Sequence, residues 1–226
     1  REGADVYAHN IVYTPRGSVW TLVVGAEVHT VHLPLIGDFN IANALAAAGA
    51  AWAMRVSPAE IAERLSSMPQ VPGRLEIISE QPTMLRDYAH TPDALERALE
   101  AVRPFTTGKL IVVFGCGGDR DRGKRPEMGR IAEEKADVAI VTSDNPRTED
   151  PERILDDIEA GMSSARRHER IEDRRTAIAH AVHAAGEGDV VVLAGKGHET
   201  YQIRGTVKYP FDEREIVREI ISEGVT

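Results

Sequence analysis

The chain has 226 residues, with 27 Lys and Arg against 36 Asp and Glu and a formal net charge of -9. That balance argues against nucleic acid or an anionic membrane as the main partner, since either polyanion would be repelled. The single cysteine, Cys116, allows no internal disulfide and fits a reducing cytosol, and no apolar run reaches the length of a membrane span.

Arg1-Glu2-Gly3 lacks an initiator Met and runs straight into strand-like sequence, which reads as part of a longer polypeptide. Val19–Val24 and Val28–Leu33 are β-rich and separated by Gly25-Ala-Glu27, a hairpin signal. Asn40 to Met54 is Ala-rich without proline and predicts a helix. Ser57-Pro58-Ala59-Glu60 supplies an N-cap, a proline at N1 and a glutamate at N3, which opens a second helix to about Ser67. Pro69-Gln-Val-Pro72-Gly73 is a rigid break and marks a domain boundary, giving 1–70 and 71–226.

Beyond it, strands and helices alternate. Strands are expected at 84–88, 110–114, 138–142 and 189–194, and helices at 92–102, 126–136, 151–165, 176–185 and 212–221. Apolar strands alternating with helices imply an α/β fold, with a mostly parallel sheet covered on both faces. In such sheets ligands sit at the carboxyl ends of the strands.

Four strand ends finish in polar clusters: Asp87-Tyr-Ala-His90, Gly115 to Arg125, Ser143 to Arg147, and Gly195-Lys-Gly-His-Glu199. Parallel strands would bring all four to one edge. Gly118 to Arg125 mimics a P-loop, but its last position holds Arg125 where Mg²⁺ chemistry needs a Ser or Thr hydroxyl, and Asp119 and Asp121 would repel a triphosphate. Gly115-Cys-Gly117-Gly118 is a weak dinucleotide fingerprint, since its sixth position is Arg120. The charges fit a zwitterion better. Arg120, Arg122, Lys124, Arg125 and Arg147 would take carboxylates, with Asp119 and Asp121 orienting them, and Glu199 would take an ammonium. The plainer alternative for any one of these arginines is a solvated loop charge. Asn40 is open to two readings, as a ligand contact or as the cap of the helix it begins. His90 is either a ligand contact or a brace for the turn at Pro92.

Taken together and in order, Gly37-Asp-Phe-Asn40-Ile-Ala-Asn43, Pro72-Gly-Arg74-Leu-Glu76, Asp87-Tyr-Ala-His90, Phe114-Gly-Cys-Gly-Gly-Asp-Arg120, Asp144-Asn-Pro-Arg147 and Gly195-Lys-Gly-His-Glu199 resemble the Mur ligases, and among them the diaminopimelate-adding branch. The resemblance implies the tail of a central ATPase domain over 1–70, followed by a Rossmann-like C-terminal domain over 71–226. It implies ATP-dependent addition of meso-diaminopimelate to the D-glutamate of UDP-MurNAc-L-Ala-D-Glu through an acyl phosphate, by a cytoplasmic monomer. ATP and Mg²⁺ are the implied cofactors. The Mg²⁺ ligands and the true P-loop are expected outside these residues, so the 226 residues alone should be inactive. Arg120, Asp144, Asn145, Pro146, Arg147, Gly195 and Glu199 are the implied diaminopimelate contacts, with Arg147 on the distal carboxylate. Asn40, Asn43, Arg74, Asp87 and His90 are the implied nucleotide contacts. No catalytic base is assigned. The residues themselves also admit a free-standing nucleotide-binding enzyme or a non-catalytic amino-acid-binding module.

Overall fold

β-Branched residues and short glycine turns dominate the first 33 positions, and the backbone follows them. In this computed structural model, which describes residues 3–163 and 168–224, β1 (Val6–Thr14), β2 (Gly17–Val24) and β3 (Glu27–Leu33) form an antiparallel sheet in that order. Alternation along β2 puts Trp20, Leu22 and Val24 on one face, where they pack with Ile41, Ala44 and Ala48. Strand β1 lies in the strand-like sequence after Gly3, although its bounds were not assigned. Its ladder slips between His9 and Val12, where Asn10 adopts φ 53°, and the slip breaks the period that marks a strand.

Helices α1 (Asp38–Ala53) and α2 (Pro58–Ser66) close this unit. Gly37, at φ 98°, is the N-cap of α1. Asn40 is therefore not the cap. It lies in the first turn and donates from Nδ2 to the Ile36 carbonyl at 2.8 Å. Ser57 caps α2 by accepting from the Glu60 N–H at 3.3 Å. The chain divides after Val71 into two compact units.

The second unit contains β4 (Glu76–Glu80), β5 (Thr83–Asp87), α3 (Pro92–Val102), β6 (Leu110–Phe114), α4 (Lys124–Lys135), β7 (Val138–Val141), α5 (Pro151–Glu159) and β8 (His168–Arg170). It continues through α6 (Arg174–Ala184), β9 (Val190–Ala194), β10 (Tyr201–Arg204), β11 (Val207–Pro210) and α7 (Glu213–Glu223). Its six-stranded sheet runs β4-β5-β9-β6-β7-β8, parallel except at the β4 edge. Strands β6 and β9 are buried along their whole length, which is why they read as unbroken apolar runs. Met84, Ile111, Val113, Val191 and Leu193 form one core with Ile178, Ala181 and Val217.

Three departures from expectation matter. Helix α5 ends at Glu159, short of the expected 165, and residues 164–165 lie outside the described residues. Helix α4 starts at Lys124 and admits Pro126 in its first turn, where no intrahelical N–H bond is lost. The antiparallel hairpin β10–β11 was not foreseen, because its outer strand is exposed throughout and lacks an apolar face.

Candidate functional site

The carboxyl ends of β6, β7 and β9 converge because glycine permits it. A Cβ on Gly118 would stand 1.9 Å from the Pro146 carbonyl, and one on Gly195 would stand 2.8 Å from Asp144 Oδ2. The glycine run after β6 therefore serves a crossing of two backbones, which is its physical role beside the weak dinucleotide pattern. The polar run after β7 is buried from Thr142 to Asn145. Burial is tolerated because all but one of the groups, Asp144 Oδ1, are bonded. Thr142 Oγ1 donates to the Glu172 carbonyl at 3.1 Å, and Ser143 Oγ donates to Glu172 Oε1 at 2.8 Å. Gln202 on β10 donates to the Asp144 carbonyl at 2.9 Å.

Asn145 is the hub. Its Oδ1 accepts from Lys196 Nζ at 3.1 Å and from the Ile203 N–H at 2.9 Å, while its Nδ2 donates to Glu199 Oε2 at 2.9 Å. Lys196 is fully buried and also donates to the Tyr201 carbonyl at 2.7 Å. Burial pushes the Lys196 ammonium below its ordinary range, against the pull of the Asp144 carboxylate. The two are 3.5 Å apart. That separation is an ion-pair contact without hydrogen-bond geometry, and Asp144 Oδ1 has no hydrogen-bond partner.

Arg147 occupies the left-handed region at φ 54°. The strain is held by backbone bonds to the unforeseen hairpin: its N–H donates to the Ile203 carbonyl at 3.1 Å, and its carbonyl accepts from the Gly205 N–H at 2.6 Å. Its guanidinium donates to the Gly118 carbonyl at 2.8 Å. A Cβ on Gly117 would meet Arg147 Nη1 at 2.9 Å and Arg120 Cγ at 3.7 Å, so these two arginine side chains flank the same point. Arg120 is exposed and donates to the Asp119 carbonyl at 2.9 Å.

Two of the expected cations have other partners. Arg125 is fully buried and bonds Glu149 and Asp157, with contacts of 2.9 Å to each. Arg122 pairs with the same Glu149 at 2.9 Å. The Arg125 hydrogen bond holds the Glu149 carboxyl down at about 2, well below the usual range. The Asp119 carboxylate was expected to orient an arginine, but only the Asp119 main-chain carbonyl bonds one. The carboxylate accepts from the Thr148 hydroxyl at 2.8 Å, and Asp121 accepts from the Gly123 N–H at 2.8 Å. Lys124 donates to the His90 carbonyl at 2.6 Å.

On the β5 side, Asp87 is buried and accepts from the Leu75 N–H at 2.7 Å. Burial raises its carboxyl above the usual range, opposed by that backbone bond and by Arg74. The Arg74 guanidinium lies 5.2 Å from the Tyr88 ring centre, a cation–π contact. His90 Nδ1 lies 2.9 Å from the Tyr88 carbonyl. The His198 ring stands 5.5 Å from Tyr88. Asn40 and Asn43 belong to the first unit, on α1, where Asn43 is exposed.

Sequence reasoning singled out Gly195 and Glu199 but passed over Lys196, Gln202 and Glu149. The available signal for Lys196 was a lysine between two glycines directly after a fully apolar strand. Among the described residues, no group of three or more His, Cys, Asp or Glu could hold a metal ion, and no helix is long and apolar enough to cross a membrane.

A family model described as the glutamate ligase domain of Mur ligases matches residues 73–197, and one for the Mur ligase middle domain matches residues 1–51. The chain is 53% identical to the UDP-N-acetylmuramoyl-L-alanyl-D-glutamate–2,6-diaminopimelate ligase of Gloeobacter violaceus, over 98% of this chain and 46% of that protein. It is 48% identical to the ligase of the same description from Geobacillus thermodenitrificans, over 99% of this chain and 46% of the relative. A solved structure of a ligase so named superposes with a TM-score of 0.79 at 40% identity, covering 100% of this chain and 47% of the other. A folylpolyglutamate synthase from Mycobacterium tuberculosis, complexed with ADP and AMPPCP, shares the fold with a TM-score of 0.67 at 22% identity, over 85% of this chain and 46% of that one. The chain thus spans less than half the length of these relatives.

Proposed function

This chain belongs to the Mur ligase family, and from that premise we propose that it supplies the amino-acid-binding part of an ATP-dependent ligase. The ligase adds meso-diaminopimelate to the D-glutamate of UDP-MurNAc-L-Ala-D-Glu, in the cytoplasm and as a monomer, with peptidoglycan precursor as product. The observation that carries this reading is the hydrogen bond of 2.9 Å from Asn145, two residues before Arg147, to Glu199 in the loop after β9. It ties the loop that carries an acceptor suited to an ammonium to the turn that carries a guanidinium suited to a carboxylate, and these two groups are what a zwitterion needs.

In this reading Arg120 and Arg147 take the carboxylates of diaminopimelate, and Glu199 takes an ammonium. Asp144, Pro146 and Gly195 shape the turn and let the loops approach. In the second unit, Arg74, Asp87 and His90 are the nucleotide contacts; Asn40 and Asn43, in the first unit, are assigned that role from the resemblance alone. ATP converts the glutamate carboxylate to an acyl phosphate, and attack by the diaminopimelate amine then forms the amide and releases phosphate. The contribution of this chain is to hold the amine in line, and good alignment of two reactants is worth about 7–11 kcal/mol. The ligands of Mg²⁺ are expected outside these residues, so no step here is assigned to the metal.

The test uses the intact polypeptide that contains this chain. ATP-dependent tripeptide formation is expected with meso-diaminopimelate and not with L-lysine. Arg147→Ala is expected to raise the KM for diaminopimelate by about tenfold or more, because the substrate carboxylate would lose its charged hydrogen-bond partner. Absence of diaminopimelate turnover would overturn the reading. Unchanged steady-state constants in Arg147→Ala would overturn the role of Arg147. The 226 residues alone are expected to make no tripeptide.

A further inference from the structure

Lys196 stands two residues beyond the end of the buried strand β9 and is fully buried, yet the proposed function gives it no task. Its ammonium ties together three separate segments. It donates to Asn145 Oδ1 after β7 at 3.1 Å and to the Tyr201 carbonyl on β10 at 2.7 Å, and it lies 3.7 Å from Glu199 Oε2 after β9. It also stands 3.5 Å from Asp144 Oδ1, an oxygen with no hydrogen-bond partner. A buried ammonium is costly, and an apolar side chain of the same volume would be the simpler filler for stability alone. The better-attested use of a buried charge is to select one arrangement of its neighbours.

We propose that Lys196 is a positioning residue that orients the Asn145 amide and, through it, the Glu199 carboxylate toward the ammonium of the amino-acid substrate. This rests on the ligase reading above. An amide has one accepting end and one donating end. Two donors, Lys196 Nζ and the Ile203 N–H, face one end of Asn145 and require it to be Oδ1. Nδ2 must then face Glu199 and hold Oε2. Glu199 Oε1 is thereby the oxygen presented to an incoming ammonium. With the amide reversed, three donors would meet at one point. Without Lys196 the Ile203 N–H alone orients the amide, so the carboxylate loosens without reversing.

The experiment is steady-state kinetics on the intact enzyme with Lys196→Met and Lys196→Gln. Lys196→Met is expected to raise the KM for diaminopimelate by about tenfold, the scale of a lost hydrogen bond to a charged group. The KM values for ATP and for the UDP-dipeptide should stay within about twofold. Lys196→Gln keeps a donor in the slot and should lie between wild type and Lys196→Met. If Lys196 acts through Asn145, adding Lys196→Met to Asn145→Leu should raise KM no further than Asn145→Leu alone. Additive effects, or three KM values that rise together, would overturn the proposal and leave Lys196 a packing residue. Should Lys196→Met fail to fold, Lys196→Gln carries the same comparison, and an unchanged diaminopimelate KM there overturns it too. Wild-type enzyme that does not use diaminopimelate would fail the ligase reading itself, which is a separate outcome.

Discussion

The two units of this chain are built on different physical terms. Among the described residues of the first unit, the only buried polar side chain is that of Ser18, and Trp20, Leu22, Val31 and Ile41 make an apolar core. Every buried charged side chain described lies in the second unit, among them Arg125, Arg174, Lys196 and Glu213, each at 0% exposure. Apolar packing is non-directional and holds an element in place. Buried charges are directional, and they hold particular loops in particular orientations. Asp87, Asp144 and Lys196 sit at or just after strand ends, while Arg125, Glu133, Arg174 and Glu213 lie in helices, and the unit that carries the candidate site is also the one that accepts the cost of desolvating charge.

Substitution can break this contrast or sharpen it. In the first unit, Trp20→Ala is expected to cost about 3–5 kcal/mol, the scale of deleting a large buried aromatic. In the second, Arg174→Ala should cost about as much, roughly 3–5 kcal/mol, because it strands a buried partner. Arg174 donates to Glu213 Oε1 and to the Ala194 carbonyl at the end of β9, at 2.8 and 3.0 Å. Urea denaturation followed by circular dichroism measures both, and a loss below about 1 kcal/mol at either position breaks the contrast on that side. Replacing the pair together, Arg174→Met with Glu213→Leu, should return stability to near the wild-type value, since well-packed apolar groups often match a buried ion pair. If the double variant stays as unstable as the single one, the charges are indispensable to packing and not chiefly to orientation.

The smallest effect is the pH dependence tied to Glu149. Its carboxyl titrates at about 2 in the folded chain against an ordinary 4.5, held down first by the Arg125 hydrogen bond. A depressed folded value means that the stabilisation is complete above the unfolded value and is lost as pH falls from there toward the folded one. Stability of the wild type should therefore drop more steeply across that acid window than that of Glu149→Gln. Equal slopes in urea midpoint against pH would show that Glu149 contributes nothing to the acid limb. Added salt should shrink the difference, because Arg122, the outer partner of Glu149, is exposed.

How far the site could be read in advance depended on what kind of feature carried it. The clusters at 144–147 and 195–199 stood out because polar residues interrupt apolar runs, and the parallel ladders do bring Asn145 and Glu199 into contact. The charges of the loop after β6 were visible, but their partners were not. Arg125 and Arg120 look alike in sequence, yet one is fully buried on Glu149 and Asp157 and the other is exposed. Glu149 lies 24 positions from Arg125 in the chain, and no local pattern links them. The hairpin β10–β11 escaped notice because its outer strand faces solvent on both sides, and with it went the backbone bonds that hold Arg147 at positive φ.

By itself the sequence determined the alternation of strands and helices, the change of rhythm near Pro72, the edge where polar clusters gather and the motifs that mark the family. These follow from periodicity, capping and glycine or proline punctuation, which act over a few residues. Only the tertiary structure decided which charges face each other, which way the Asn145 amide points and that Lys196 is buried. Those outcomes depend on partners distant in sequence, and a charge is either solvated or paired according to what the fold places within about 4 Å of it.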